Sequence, residues 1–141
     1  MTEKPLKEIA LEFLSQVVAG DIRGAYEKHA SYGLRHHNLW SAGNAGALRA
    51  GMEGDESRRP GKRLDVRAAL QDGDRVAVHT RLVRGAGEPE IAVMHLFRFE
   101  NATIAEMWDV AQPQRIEWRN PLRSWPIGPC PSALREPGRA V

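Results

Sequence analysis

The segment Ile104 to Ala111 reads Ile-Ala-Glu-Met-Trp-Asp-Val-Ala, and Asp109 stands in a mostly apolar run whose other charge is Glu106. The run Ile91 to Phe99 before it carries His95 among Val, Met, Leu and Phe. A carboxylate and an imidazole brought together in apolar surroundings can be poised for general acid–base chemistry near neutral pH. Side-chain pairing predicts that they meet. If the two runs form a hairpin with a three-residue loop at 101 to 103, Glu100 faces Ile104 and Arg98 pairs with Glu106. Phe97 then pairs with Met107 and His95 with Asp109. A two-residue loop would slip the register by one. It would send His95 and Asp109 to opposite faces and lose the Arg98–Glu106 ion pair. Burial pushes an aspartate pKa up and a neighbouring imidazolium pushes it down, so such a couple titrates as a unit. The same residues also read as a structural cross-strand ion pair.

Other side chains join the candidate list. His37 and Asn38 lie in the break after the second predicted helix, where Asn38 can donate to a substrate carbonyl or simply serve a turn. His36 and His37 are adjacent, so in an extended chain they point to opposite faces, and no HExxH or paired-Cys spacing supports a metal. Tyr26, Trp40 and Met52 fall where they can line a cavity or fill a core. Met107 and Phe97 flank the couple, and Trp108 points away from Asp109 by alternation. His79 falls on the face of its strand opposite Val76, Val78, Thr80 and Leu82. The glycines of "RGAGEPE" join two strands rather than opening a helix, so no nucleotide cofactor is implied, and none of any kind is expected.

The elements that must hold these residues come from one domain-sized chain of 141 residues. Hydrophobic residues make up 42% and charged residues 27%, as in an ordinary globular protein, and the net charge of +2 argues for neither nucleic acid nor a membrane surface. One cysteine, Cys130, excludes an internal disulfide framework. No signal peptide and no membrane-length apolar run is seen, so the expected location is the cytoplasm.

Leu6, Ile9, Phe13, Leu14 and Val17 repeat with helical spacing up to Gly20. Asp21 is a good cap for a second helix with Ile22, Ala25, Tyr26 and His29 on one stripe. "SYGLRHHNLW" reads as a loop or short extended piece, and "NAGALRAGMEGDESRR" as a weaker helix. After Pro60 the period becomes two. Leu64, Val66, Ala68 and Leu70 form one alternating set, Val76 to Leu82 another, and the two runs above complete four strands of an antiparallel meander. Helices followed by strands predict an α+β fold with helices on one face of a curved sheet. Residues 121–141 hold five of the nine prolines and are expected to form a tail outside a domain at 1–120.

With "YGLRHHN" (Tyr32 to Asn38) after two helices and "FRFENATIAEMWDV" closing a meander, the chain resembles the SnoaL-like polyketide cyclases of the NTF2-like superfamily over roughly residues 6 to 113. The resemblance implies a cone, with a curved sheet wrapped around the N-terminal helices and a deep apolar pocket. It implies that Asp109 is a base for intramolecular aldol closure and that His95 assists it. It implies a small apolar carbonyl-containing substrate, with His37, Asn38, Met107, Phe97, Tyr26 and Trp40 around it. This sequence writes "EMWD" where many relatives write "EHWD", so Met107 replaces a frequent pocket histidine. The fold also serves isomerases, dehydratases and non-enzymatic modules. A binding or dimerisation module therefore stands beside the enzyme. Leu96, Trp108 and Val110 on the convex face predict a homodimer.

Overall fold

The structure, a computed structural model, describes residues 3–38, 43–58, 60–85 and 87–114. The expected tail at 121–141 and Trp40 lie outside the described residues. Helix α1 spans Leu6–Val18 and buries Ile9, Ala10, Phe13 and Leu14, the residues whose spacing marks one face. It ends at Gly20, whose φ of 96° is the left-handed conformation that glycine adopts without cost. Asp21 then caps α2 (Ile22–His29) by accepting from the Gly24 backbone N–H at 3.1 Å. Ile22, Ala25, Tyr26 and His29 are its buried stripe. Helix α3 spans Ala45–Arg58, and the Asn44 side chain accepts from the Ala47 N–H at its start.

Five strands form one sheet: β1 (Ala30–His36), β2 (Arg63–Asp72), β3 (Arg75–Val83), β4 (Glu90–Glu100) and β5 (Thr103–Gln114). Their order is β1-β5-β4-β3-β2. Strands β2 to β5 are the expected antiparallel meander. The segment expected as a loop or short extended piece is a strand, β1, which runs parallel along the far edge of β5. That pairing satisfies backbone groups that β5 would otherwise leave open on its outer side. The alternation in β2 also departs from expectation. A bulge at Arg67 lies between the pairs Val66–Thr80 and Ala68–His79, so Ala69 takes the inward place and Leu70 is 69% exposed.

The helices pack into the concave side of the sheet, and the core runs from Phe13 through Tyr26 and Leu34 to Val76, Val78, Phe97, Ile104 and Met107. Phe13 sits at its centre, edge-on to Tyr26 at 5.3 Å and to Phe97 at 6.0 Å between ring centroids. Such edge-to-face contacts add about 0.5–1.5 kcal/mol each to the area buried. Among the described helices none is long and apolar enough to cross a membrane.

The β4–β5 hairpin corrects one expectation and preserves its consequence. The loop has two residues, Asn101 and Ala102, and not three, because Glu100 pairs with Thr103 and Phe99 with Ile104. Alone, that turn would put His95 and Asp109 on opposite faces. A bulge at Ala105 inserts one extra residue before Arg98 meets Glu106, and the register returns to His95 opposite Asp109. Both loop residues have positive φ, 50° and 60°, as a type I′ turn requires. Alanine is strained there by roughly 1–2 kcal/mol. Ala102→Gly is therefore expected to raise stability by up to about 1 kcal/mol. A urea midpoint that stays or falls would show that the turn carries no such strain.

Candidate functional site

Asp109 faces the concave side of β5, two residues beyond the fully buried Met107. The next inward residue, Ala111, is exposed, so Asp109 stands where the core gives way to the open end of the cone. Its position is set from two sides. Strand β4 brings His95 directly opposite. Strand β1 brings Asn38, because the His37 backbone N–H continues the β1–β5 ladder by donating to the Met107 carbonyl at 3.0 Å. From there Asn38 Nδ2 donates to both Asp109 Oδ1 and Oδ2 at 3.1 Å. Asn38 is thus the residue that holds the carboxylate, a role beyond either the substrate contact or the turn contact that its sequence position suggested.

His95 is a neighbour of another kind. Its ring stacks on Phe97, nearly parallel, at 5.7 Å. Burial pulls its pKa down to about 4, and the Asp109 charge opposes this only in part. The imidazole is therefore neutral at neutral pH. The structure does not form the His–Asp ion pair considered from sequence, and among the described residues no hydrogen bond joins the two side chains. His95 Nδ1 is shielded from solvent and has no hydrogen-bond partner among the described residues. A buried polar atom left unsatisfied costs about 1–3 kcal/mol and calls for an explanation.

Tyr26 enters from α2 and donates to the Met52 sulfur at 3.4 Å. Burial raises its pKa, the Asp109 charge raises it further, and Arg49 opposes both, so the phenol keeps its proton. Phe97 and Met107 are inward, at 0% and 1% exposure, as members of the packed core.

His37 departs from expectation. It lies on the outer face, because alternation along the extended chain sends it opposite to its neighbours. There its ring stacks on Trp108 at 4.8 Å and its Nε2 meets Glu106 Oε2 at 2.7 Å. Arg98 Nε donates to the other Glu106 oxygen at 3.2 Å, the cross-strand pair that sequence pairing predicted. With His37 and Arg98 as partners, the Glu106 carboxyl is held below the usual range. The inward member of the doublet is His36, 5% exposed, whose Nδ1 accepts from the Asn38 N–H at 3.2 Å. The rule of alternation had split the pair correctly but could not tell which half turned in. Among the described residues no group of three or more His, Cys, Asp or Glu could hold a metal ion.

No protein-family model matches the sequence, and no curated protein matches it. Solved structures do. AclR from Streptomyces galilaeus, provisionally described as a hydroxylase, aligns at TM-score 0.66 and 23% identity over 76% of this chain and 88% of its own. IdmH from Streptomyces antibioticus, provisionally a polyketide cyclase, aligns at 0.64 and 12% over 77% and 93%. An NTF2-like protein of unknown function from Cytophaga hutchinsonii aligns at 0.64 and 15% over 79% and 94%. Three helices against a curved five-stranded mixed sheet, and these neighbours, make the chain an α+β cone of the NTF2-like fold, the fold it shares with structures named for polyketide cyclases.

Proposed function

We propose that the protein is a cofactor-independent enzyme acting on a small apolar carbonyl compound, with Asp109 as general base. The observation that carries this is the set of partners around Asp109. It is hydrogen-bonded by a neutral amide and faces a neutral imidazole, and among the described residues no cation pairs with it. A carboxylate locked to an arginine would lose basicity. This one is oriented by a neutral amide instead. In the reaction, Asp109 takes a proton from the carbon alpha to a carbonyl. The C–H electron pair passes into the enolate, whose oxygen accepts a hydrogen bond from the neutral His95. The enolate carbon then attacks a second carbonyl of the same molecule, whose π pair moves onto its oxygen. That alkoxide takes back the proton held by Asp109 as the ring closes in aldol fashion; alternatively Asp109 returns the proton to another carbon of the enolate to give an isomer. Phe97 and Met107 pack behind the base as part of the core and keep its surroundings apolar, and Asn38 holds it.

In this reading the protein is a homodimer. Its convex face supports this, since Val110 is 71% and Met94 46% exposed and pair across β4 and β5, beside Leu96 and Trp108. Sedimentation at micromolar concentration is expected to show a dimer, and a monomer would count against this interface.

A thermal-shift screen of apolar ketones and aldehydes tests the main reading. Compounds that raise the melting temperature of the wild type should also raise that of Asp109→Asn, because the replacement is nearly isosteric. Ligands that bind both proteins but are never turned over by the wild type would make this a binding module instead.

A further inference from the structure

A second region near Tyr26 carries polar groups that the proposed chemistry leaves unused. A cleft of about 740 Å³ opens between the end of α2, β1 and the start of α3. That volume lies within the range of small-molecule sites, about 300–1,000 Å³. Tyr26 and Leu34 form its apolar wall, and Arg35, Asn44 and Arg49 line it together with one acid, Glu27. Asn44 is committed to capping α3, and Arg35 is exposed, with its charge shared with Glu106. Arg49 is different. It follows the buried Leu48 and precedes Met52 by three residues, so it lies beside the inward stripe of α3.

The Nε of Arg49 is shielded from solvent and has no hydrogen-bond partner among the described residues. Glu53, one turn on, pairs with that Nε at 3.8 Å, an ion pair too long for a hydrogen bond, and the Arg49 side chain as a whole is 37% exposed. The exposed part of the guanidinium faces solvent beside the cleft, where a ligand carboxylate can compete with Glu53 by forming the charge-assisted hydrogen bonds that Glu53 does not make. Tyr26 lines this cleft with Arg49, and the Asp109 charge also acts on its phenol.

We infer that Arg49 anchors a carboxylate on the substrate in this cleft, so that the substrate is an apolar carbonyl compound that is also a carboxylic acid. The inference rests on the reading of Asp109 as base for the position of the carbonyl, while the carboxylate site itself is testable without it. The probes are 2-naphthoate and its methyl ester, with binding measured by calorimetry on the full chain. The wild type is expected to bind the acid about tenfold or more tighter than the ester, the size of one charge-assisted hydrogen bond. Arg49→Gln, a good helix former at that position, should reduce the preference to within about twofold. Asp109→Asn should keep it. An equal affinity of the wild type for acid and ester, absence of binding of the acid at millimolar concentration, or a preference that survives Arg49→Gln would each overturn the inference. Loss of turnover in Asp109→Asn with the acid preference lost only in Arg49→Gln would separate the two sites. A normal acid preference with turnover intact in Asp109→Asn would sink the base and leave the anchor standing.

Discussion

Turnover of a carbonyl substrate by Asp109→Asn is expected to fall about 10²–10⁴-fold, the usual contribution of a general base. The replacement is nearly isosteric. It removes a basic oxygen but leaves one amide oxygen to accept from Asn38 Nδ2, which in the wild type reaches both carboxylate oxygens. Stability gives an independent reading of the same variant. Breaking a buried ion pair from one side costs about 3–5 kcal/mol. Here no described cation is lost, and the change exchanges one hydrogen bond to a charged acceptor for one to a neutral acceptor. The expected shift in stability is within about 1 kcal/mol. A melting temperature that holds while turnover collapses supports catalysis. A steep fall in melting temperature, with ligand binding and turnover unchanged, would make Asp109 a structural residue.

The second large effect is acid sensitivity through His95. Its folded pKa of about 4 lies below the 6.5 of an unperturbed histidine. Between those values the unfolded chain binds a proton that the folded protein does not, so stability falls as pH drops from about 6.5 toward about 4. The loss from this one residue reaches the order of 3 kcal/mol at pH 4. His29 and His79, also lowered chiefly by burial, act in the same direction. His95→Gln should remove the largest share, so its urea midpoint is expected to depend less on pH across that window than that of the wild type. The Asp109 charge partly opposes the effect of burial on His95. In Asp109→Asn the His95 titration followed by NMR should therefore move lower still. A His95 that titrates near 6.5 in the folded protein would remove both the neutral imidazole and the hydrogen bond it offers to an enolate.

The register of the β4–β5 hairpin shows what sequence can and cannot carry. Opposite-charge and apolar pairing placed His95 across from Asp109 and Arg98 across from Glu106, and both pairs are present. The means differed. A two-residue turn with a bulge at Ala105 gives the same pairing as a three-residue loop, because both add one residue to the β5 side. Side-chain pairing constrains the sum of such offsets and not where they fall. The Arg67 bulge was hidden for the same reason, and it turned Leu70 outward. Strand β1 was harder to read, since Ser, Tyr, Gly and Arg show no clean alternation and its partner β5 lies far along the chain. Asp109 stood out in the sequence because a carboxylate on the inward face of a strand is rare. Asn38 as the holder of Asp109, His36 as the inward histidine and the Arg49 Nε without a hydrogen bond were not legible. Each depends on a contact between distant elements that no local pattern encodes.

The central claim is that Asp109 removes a proton alpha to a carbonyl. The most direct measurement is exchange of solvent deuterium into that position of a bound ketone, followed by NMR in heavy water. The wild type should exchange the alpha proton catalytically, and Asp109→Asn should do so at least about 100-fold more slowly while binding the ketone equally well. Equal exchange rates in the two proteins, at equal occupancy, would contradict the assignment of Asp109 as the base.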